Sequence, residues 1–402
     1  MSYAGAHMLE HRIEQTFDVR YSYPVCFTRG AFSPENATLA GLMRTAAPGA
    51  KPRALFVVDS GVASARTACI ESIERYAREH GDTFDLAHPP VLMPGGEAAK
   101  HGLDEVQAIY DLVRELRLCR HSYVVAVGGG AVLDAAGYAA TTAHRGIRLI
   151  RMPSTVLGQD DAGIGVKNGV NWFGRKNFVG TFAPPFAVVN DFDLLSSAPA
   201  AVRRAGIAEA LKVALIRDET FFRQLHRQRF ELAMLAPHAI EPMIVRCAQL
   251  HLAQIRDGGD PFERGSARPL DFGHWSAHKL EELSNHRLLH GEAVAIGIAL
   301  DTLYSRRIGL IDGAAAALVF EAIRDIGFTL DDAALDALDV DRALDEFREH
   351  LGGQLCITLL DRLGEGVEVD RIDTSLMRDC IVQLRETRAA GQTVPPAWEI
   401  SA

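Results

Sequence analysis

Short apolar runs alternate with amphipathic stretches through the first half of the chain. ALFVVDS (54–60) predicts a buried strand, and ARTACIESIERYAREHG (65–81) predicts a helix that stops at Gly81. HGLDEVQAIYDLVRELRL (101–118) predicts a second helix, and YVVAVGGG (123–130) a strand running into glycines. RLIRMPS (148–154) and FAVVND (186–191) predict further strands. This alternation points to an α/β domain with a mainly parallel sheet. From about Ala198 the pattern becomes long helical periodicity, at 201–216, 240–257 and 290–309, with few strand signals. The expected architecture is α/β plus all-α, divided near Ser196–Pro199. Residues 1–197 form the first domain, with 1–50 as N-terminal extension and first elements, and 198–402 form the helical one. A ligand is expected in the cleft between them.

Composition narrows the partners. The chain has 402 residues, 48% hydrophobic and 23% charged, as in an ordinary globular protein. Its net charge of −10 disfavours nucleic acid and anionic membrane, which attract basic surfaces. A local cationic pocket inside an acidic shell is still allowed. Six scattered cysteines with no CxxC pair fit reduced, mostly buried thiols of a cytosolic enzyme. The first residues lack the apolar core of a secretory signal, and no apolar run is long enough to span a bilayer. The expectation is a soluble, cytoplasmic protein.

Candidate chemistry sits in a few segments. Gly128-Gly129-Gly130 ends a strand and opens a helical pattern, where backbone and helix N-terminus suit a phosphate, although three glycines also make a plain turn. Pro94 to Lys100 is a second turn, whose Glu97 suits ribose hydroxyls or a solvated helix start. STVLGQDDAGIGVKNGVNWFGRKNFVGTFAPP (154–185) is dense in Gly, Asn and Lys and lacks regular periodicity, which favours a functional loop over a bland one. Glu209 and Lys212 share a helix face, as do His274 and His278, and His290 opens an apolar helix. Two imidazoles and a carboxylate make a common catalytic zinc set, although most of 15 histidines must be surface or core residues. HWSAH lacks the Glu of HExxH, which excludes the zinc-peptidase pattern.

Taken together, GGGAVLDAAGYAATTAHRGI, MPSTVLGQDDAGIGVKNGVN, FGRKNFVGTF, GIAEALK, DFGHWSAH and LHGEAVAIG resemble the 3-dehydroquinate synthase superfamily, the sugar-phosphate cyclases. The likeness is strong over roughly 54–310 and weaker beyond. It implies a Rossmann-like NAD domain, a helical metal domain holding Zn²⁺ or Co²⁺, a small sugar-phosphate substrate and a homodimer. The cofactor residues so implied are Asp59, Glu97, Lys100, Gly129, Gly130, Asp134, Ser154, Thr155, Lys176, Leu194 and Ser197. The implied metal ligands are Glu209, His274 and His290. Arg145, Lys167, Lys176, Asn177, Arg268 and Asp271 would bind substrate, with Lys212, Asp161, His278 and Lys167 as catalytic groups. The implied reaction is transient oxidation, β-elimination of phosphate, re-reduction and an intramolecular aldol closure, with no net redox change.

Departures from the pattern bear on substrate. Where a dedicated dehydroquinate synthase carries DExExGLRxxLNxGH, this chain has GDPFERGSARPLDFGH. Asp271 replaces an Asn, Ala267 occupies the slot of an Arg with Arg268 beside it, and Ala253 replaces a Lys. EFREHLGG (346–353) stands where a late DKK segment belongs, with Arg348 the candidate substitute. Fewer cations favour a substrate without a carboxylate, of the sedoheptulose 7-phosphate type, over the carboxylated heptulosonate of a dehydroquinate synthase. His278 pulls the other way, since cyclases of the former type usually lack it. A metal-dependent polyol dehydrogenase and a non-catalytic homologue are the remaining alternatives. Net NADH formation would mark the first of these, and broken metal ligands the second.

Overall fold

The computed structural model describes residues 13–44, 51–262, 270–350 and 353–389. Eleven strands are present among them: β1 Val25–Thr28, β2 Arg53–Asp59, β3 Asp85–Leu86, β4 Val91–Met93, β5 Tyr123–Gly128, β6 Arg148–Pro153, β7 Lys167–Trp172, β8 Arg175–Phe182, β9 Ala187–Asp191, β10 Ile357–Arg362 and β11 Glu365–Val369. Seven form one parallel sheet in the order β1-β9-β6-β5-β2-β3, with β4 also on β2. The sheet is buried on both faces, which is why its strands read as continuous apolar runs. Along β2, Ala54, Phe56 and Val58 pack with Ile73 and Tyr76, while Leu55 and Val57 pack with Ile109, Val113 and Leu133.

The chain leaves β2 for one edge of the sheet through β3 and β4, then returns to β2's other side as β5. That reversal opens a crevice at the C-terminal ends of β2 and β5, where ligands of open α/β sheets bind. Asp59 and Gly128 end these two strands.

Helices dominate from Ala200 onward. The helix His290–Arg307 is buried along nearly its whole length, since AVAIGIAL leaves it no polar face. Gly297 on that helix meets Gly273: a Cβ there would lie 1.9 Å from the Gly273 carbonyl oxygen, so only glycine permits the approach. Among the described residues no helix is long and apolar enough to cross a membrane.

Several predicted elements differ in detail. The helix expected over 65–81 is Cys69–Glu79, and a separate short helix, Ser60–Ala65, capped by the Asp59 side chain, precedes it where the strand was expected to end. The stretch 201–216 divides at Gly206 into Ala200–Ala205 and Ile207–Arg217, and a Cβ on Gly206 would strike the Leu157 nitrogen at 2.4 Å, so the site requires glycine. The 154–185 segment is ordered: Gly158–Ala162 forms a π-helical turn and β7–β8 an antiparallel hairpin. Facing glycines 169 and 180 hid its strand character, since they carry no side chain to alternate. The helical half also holds the hairpin β10–β11. None of the six cysteines is in a disulfide; Cys119 is exposed and Cys26 and Cys356 half-buried, so only three are the buried hydrophobes expected.

Candidate active site

The helix Ile207–Arg217 is buried on all sides, and it carries Glu209 and Lys212 one turn apart into the interior. His274 starts the helix His274–Leu283 and His290 starts the next. His274 Nε2 lies 3.6 Å and His290 Nε2 3.3 Å from Glu209 Oε1. Potential ligand atoms of all three residues fall within 4.8 Å of one another. The remaining nitrogens are occupied. His274 Nδ1 lies 3.1 Å from the Phe272 carbonyl and His290 Nδ1 2.9 Å from Glu281 Oε1. Both rings therefore donate from Nδ1 and aim Nε2 toward Glu209, so that with a metal bound each would offer it an Nε2 lone pair. Neither buried Glu209 oxygen has a hydrogen-bond partner, although Lys212 is in ion-pair contact with it. This donor set fits a divalent metal ion.

The electrostatics follow from burial and these contacts. Burial alone would raise Glu209, but Lys212 and His274 hold it well below the usual carboxylate range. Burial would lower Lys212, yet Glu209 and Asp161 push it up, so it stays protonated. Burial and the Lys212 charge press His274 down to about 4. Burial also disfavours protonated His290, but the nearby carboxylates of Glu209 and Glu281 outweigh it and, with no metal between them, carry the ring up to about 10.

His278, Asp161 and Asp271 lie beside this cluster. His278 is exposed, its ring 5.5 Å from that of His274 and 6.1 Å from that of His290. Asp161 and Asp271 both act electrostatically on Lys212. Lys167 is exposed at the start of β7, and its carbonyl accepts from Arg151 Nη2 at 2.7 Å.

Most predicted cofactor residues lie on the turns and helix starts that follow β2, β4, β5 and β6, with Lys176 on β8 and Leu194 and Ser197 just after β9. A Cβ on Gly95 would meet Asp59 Oδ1 at 2.4 Å and one on Gly128 would meet the Asp59 Cβ at 2.9 Å, so both loops close around Asp59. Gly129 faces the Thr155 methyl, and the helix Gly130–Thr142 starts directly after it without a side-chain cap. An uncapped helix start behind a glycine turn fits a dinucleotide pyrophosphate. Ser154 is buried, its amide bonded to the Gly128 carbonyl. Lys100 pairs with Asp134 at 2.6 Å and with the Asn177 side chain. Lys176 reaches Glu97 at 3.7 Å and Glu281 at 3.2 Å. Leu194 is buried in the apolar core at the end of β9, and its carbonyl accepts from the Ser197 hydroxyl.

Two predicted residues are not brought in. Arg145 is exposed beyond the far end of the helix Gly130–Thr142, about 20 Å from its start at 1.5 Å per residue. Arg268 lies outside the described residues.

Sequence reasoning passed over several residues. His251 Nδ1 contacts Asp161 Oδ1 at 2.7 Å. Asp160 is fully buried, and burial beside Asp161 and Glu209 keeps its carboxyl well above the ordinary range. Arg151 is fully buried and binds the carbonyls of Gly163, Gly165 and Lys167. Asp301 accepts from Gly273 N and Trp275 Nε1 on either side of His274. Glu281 had a legible signal, standing seven residues after His274 and hence on its helix face.

Known proteins show the same combination. The chain matches the family model described as 3-dehydroquinate synthase N-terminal over residues 90–205 and 3-dehydroquinate synthase C-terminal over residues 206–349. It is 31% identical over 361 residues to a 2-epi-5-epi-valiolone synthase of Streptomyces glaucescens, covering 87% of each chain. It is 36% identical over 288 residues to a 3-dehydroquinate synthase of Azotobacter vinelandii, covering 69% of this chain and 76% of that one. A solved 2-epi-5-epi-valiolone synthase of Streptomyces hygroscopicus subsp. jinggangensis, with NAD⁺ and Zn²⁺ bound, superposes with a TM-score of 0.82 at 28% identity. That superposition covers 93% of this chain and 99% of the other. With both halves matched in order and a three-ligand cluster set beside a dinucleotide crevice, the chain belongs to the 3-dehydroquinate synthase family.

Proposed function

We propose that the protein is an NAD- and metal-dependent sugar-phosphate cyclase, a carbon–oxygen lyase that closes a heptulose phosphate to a carbocycle with loss of phosphate. Its substrate is of the sedoheptulose 7-phosphate type, without a carboxylate. Glu209, His274 and His290 would hold the metal, and the loops around Asp59, Glu97, Gly129 and Gly130 the dinucleotide. Such a pair supplies Lewis-acid polarisation of a ring hydroxyl and a reversible hydride acceptor.

The chain's own residues do the rest. Lys212, held protonated by Glu209 and Asp161, presents a fixed positive charge to substrate oxygens. Asp161, in contact with His251, is placed to accept a hydroxyl proton at its carboxylate. Lys167 and the exposed imidazole of His278 face solvent, where phosphate enters and leaves. Lys176 and Asn177 order the hairpin that covers the crevice.

The observation that carries the choice of substrate is Asp271 acting on Lys212 beside Asp161 and Glu209. Three carboxylates thus surround the one lysine, and the cations expected at positions 253 and 267 are alanines. A carboxylate on the substrate would meet repulsion there. A carboxylated heptulosonate phosphate is the second reading, and the retained His278 favours it.

Incubation with NAD⁺, Zn²⁺ and each substrate in turn tests the proposal. Phosphate and a cyclic product should form from sedoheptulose 7-phosphate without NADH build-up. Turnover of the carboxylated substrate alone would establish the second reading. Release from neither, with steady NADH formation from a polyol, would make the protein a dehydrogenase.

A further inference from the structure

Glu281 joins the two halves of the site through a single carboxylate. It is buried, with a side chain 6% exposed, and both oxygens are engaged. Oε1 lies 2.9 Å from His290 Nδ1, and Oε2 accepts from Lys176 Nζ at 3.2 Å. The first contact sets the His290 tautomer and aims Nε2 at Glu209. The second ties the metal cluster to β8, which is anchored on the dinucleotide side. Lys176 also faces Glu97 Oε1 at 3.7 Å, and Glu97 Oε2 accepts from Asn171 Nδ2 on β7 at 2.8 Å. Beside them Lys100 binds both Asn177 and Asp134.

Exposure differs along this chain of contacts. Lys176 and Glu97 have side chains 38% and 42% exposed, whereas Glu281 and Glu209 are enclosed. The hairpin end is therefore free to adjust while the metal end is held by packing. A dinucleotide that bonds Glu97 and orders the hairpin fixes Lys176 against Glu281, and the ordering cost of aiming His290 is then already met. A second ligand that finds its site ordered binds more tightly.

We infer that Glu281 is a positioning residue that couples dinucleotide binding to metal binding through Lys176 and His290. The coupling is positive and reciprocal, since linkage makes each ligand raise the other's affinity by the same factor. This rests on the NAD and metal reading of the cleft and is independent of which sugar is turned over.

The test is titration of the metal-free full chain with Co²⁺, followed by its visible absorption, with and without saturating NAD⁺. NAD⁺ should tighten Co²⁺ binding by about fivefold or more, within the usual range of such couplings. Glu281→Gln should weaken Co²⁺ binding about 10- to 100-fold, as removal of a ligand's outer partner does, alter the absorption bands and abolish the NAD⁺ effect. Lys176→Met, at a partly exposed side chain, should lose the gain from NAD⁺ at an NAD⁺ concentration shown by direct titration to saturate the variant. This second variant decides the matter if Glu281→Gln does not fold. Equal Co²⁺ affinity with and without NAD⁺ in the parent, parental affinity in Glu281→Gln, or a preserved gain in Lys176→Met would each overturn the inference. No turnover is read, so failure to cyclise a given sugar phosphate leaves this result unaffected.

Discussion

His251 Nδ1 lies 2.7 Å from Asp161 Oδ1, joining the long helix Pro237–Asp257 to the π-helical turn Gly158–Ala162. Burial favours the neutral form of Asp161, but the His251 charge and contact outweigh it and hold the carboxyl below its ordinary value. Asp161 is therefore ionised at neutral pH and ready to accept a proton.

Replacing His251 by Gln removes that charge and leaves only Lys212 to oppose burial, so Asp161 rises. The acid limb of the pH–rate profile for phosphate release should move to higher pH, and kcat should fall about 100-fold if Asp161 acts as base. An acid limb that stays in place would exclude Asp161 as the titrating group.

His274→Ala and Glu209→Gln each remove one of three metal donors. Purified variants should lose zinc that the parent retains, read as metal per chain by atomic absorption. Unchanged zinc content in either would refute the ligand assignment.

Arg151 is buried without a carboxylate partner, its guanidinium spent on the Gly163, Gly165 and Lys167 carbonyls and on Asn168 Oδ1. Arg151→Met leaves these acceptors buried and unpaired, a cost of at least about 3 kcal/mol in urea unfolding. Because Lys167 hangs on the same segment, KM for the sugar phosphate should rise more than kcat falls. Parental stability with parental KM would show that the clamp does not position Lys167.

Asp301 accepts from Trp275 Nε1 at 2.8 Å and Gly273 N at 2.9 Å, and burial pushes its carboxyl up to about 7. The folded state thus holds a proton that the unfolded chain releases near pH ~4. Its stabilisation is full below that pH and is lost as pH rises toward about 7. Asp301→Asn cannot titrate, so thermal melts between pH ~4 and ~7 should show a shallower decline than in the parent. The same decline in both proteins would place the titration elsewhere.

Much of this protein could be read along the chain. Continuous apolar runs identify β2, β5, β6 and β9, because a strand buried on both faces must be apolar throughout. The glycine turn after β5 and the helical spacing of Glu209 with Lys212 are likewise local, since backbone geometry and the helix repeat act within a few residues. The net charge of −10 describes the outer surface and is silent about the Lys212 pocket, whose surrounding acids come from three separate segments. Tertiary structure alone decided what Asp161, His290 and His274 touch. His251 stands 90 residues from Asp161, Lys176 stands 105 from Glu281, and Asp301 stands 28 from Gly273. Periodicity records which face of an element is buried, whereas the partner met on that face depends on how elements pack. In this chain the packing set Glu281, two helical turns past His274, between His290 and Lys176 on β8.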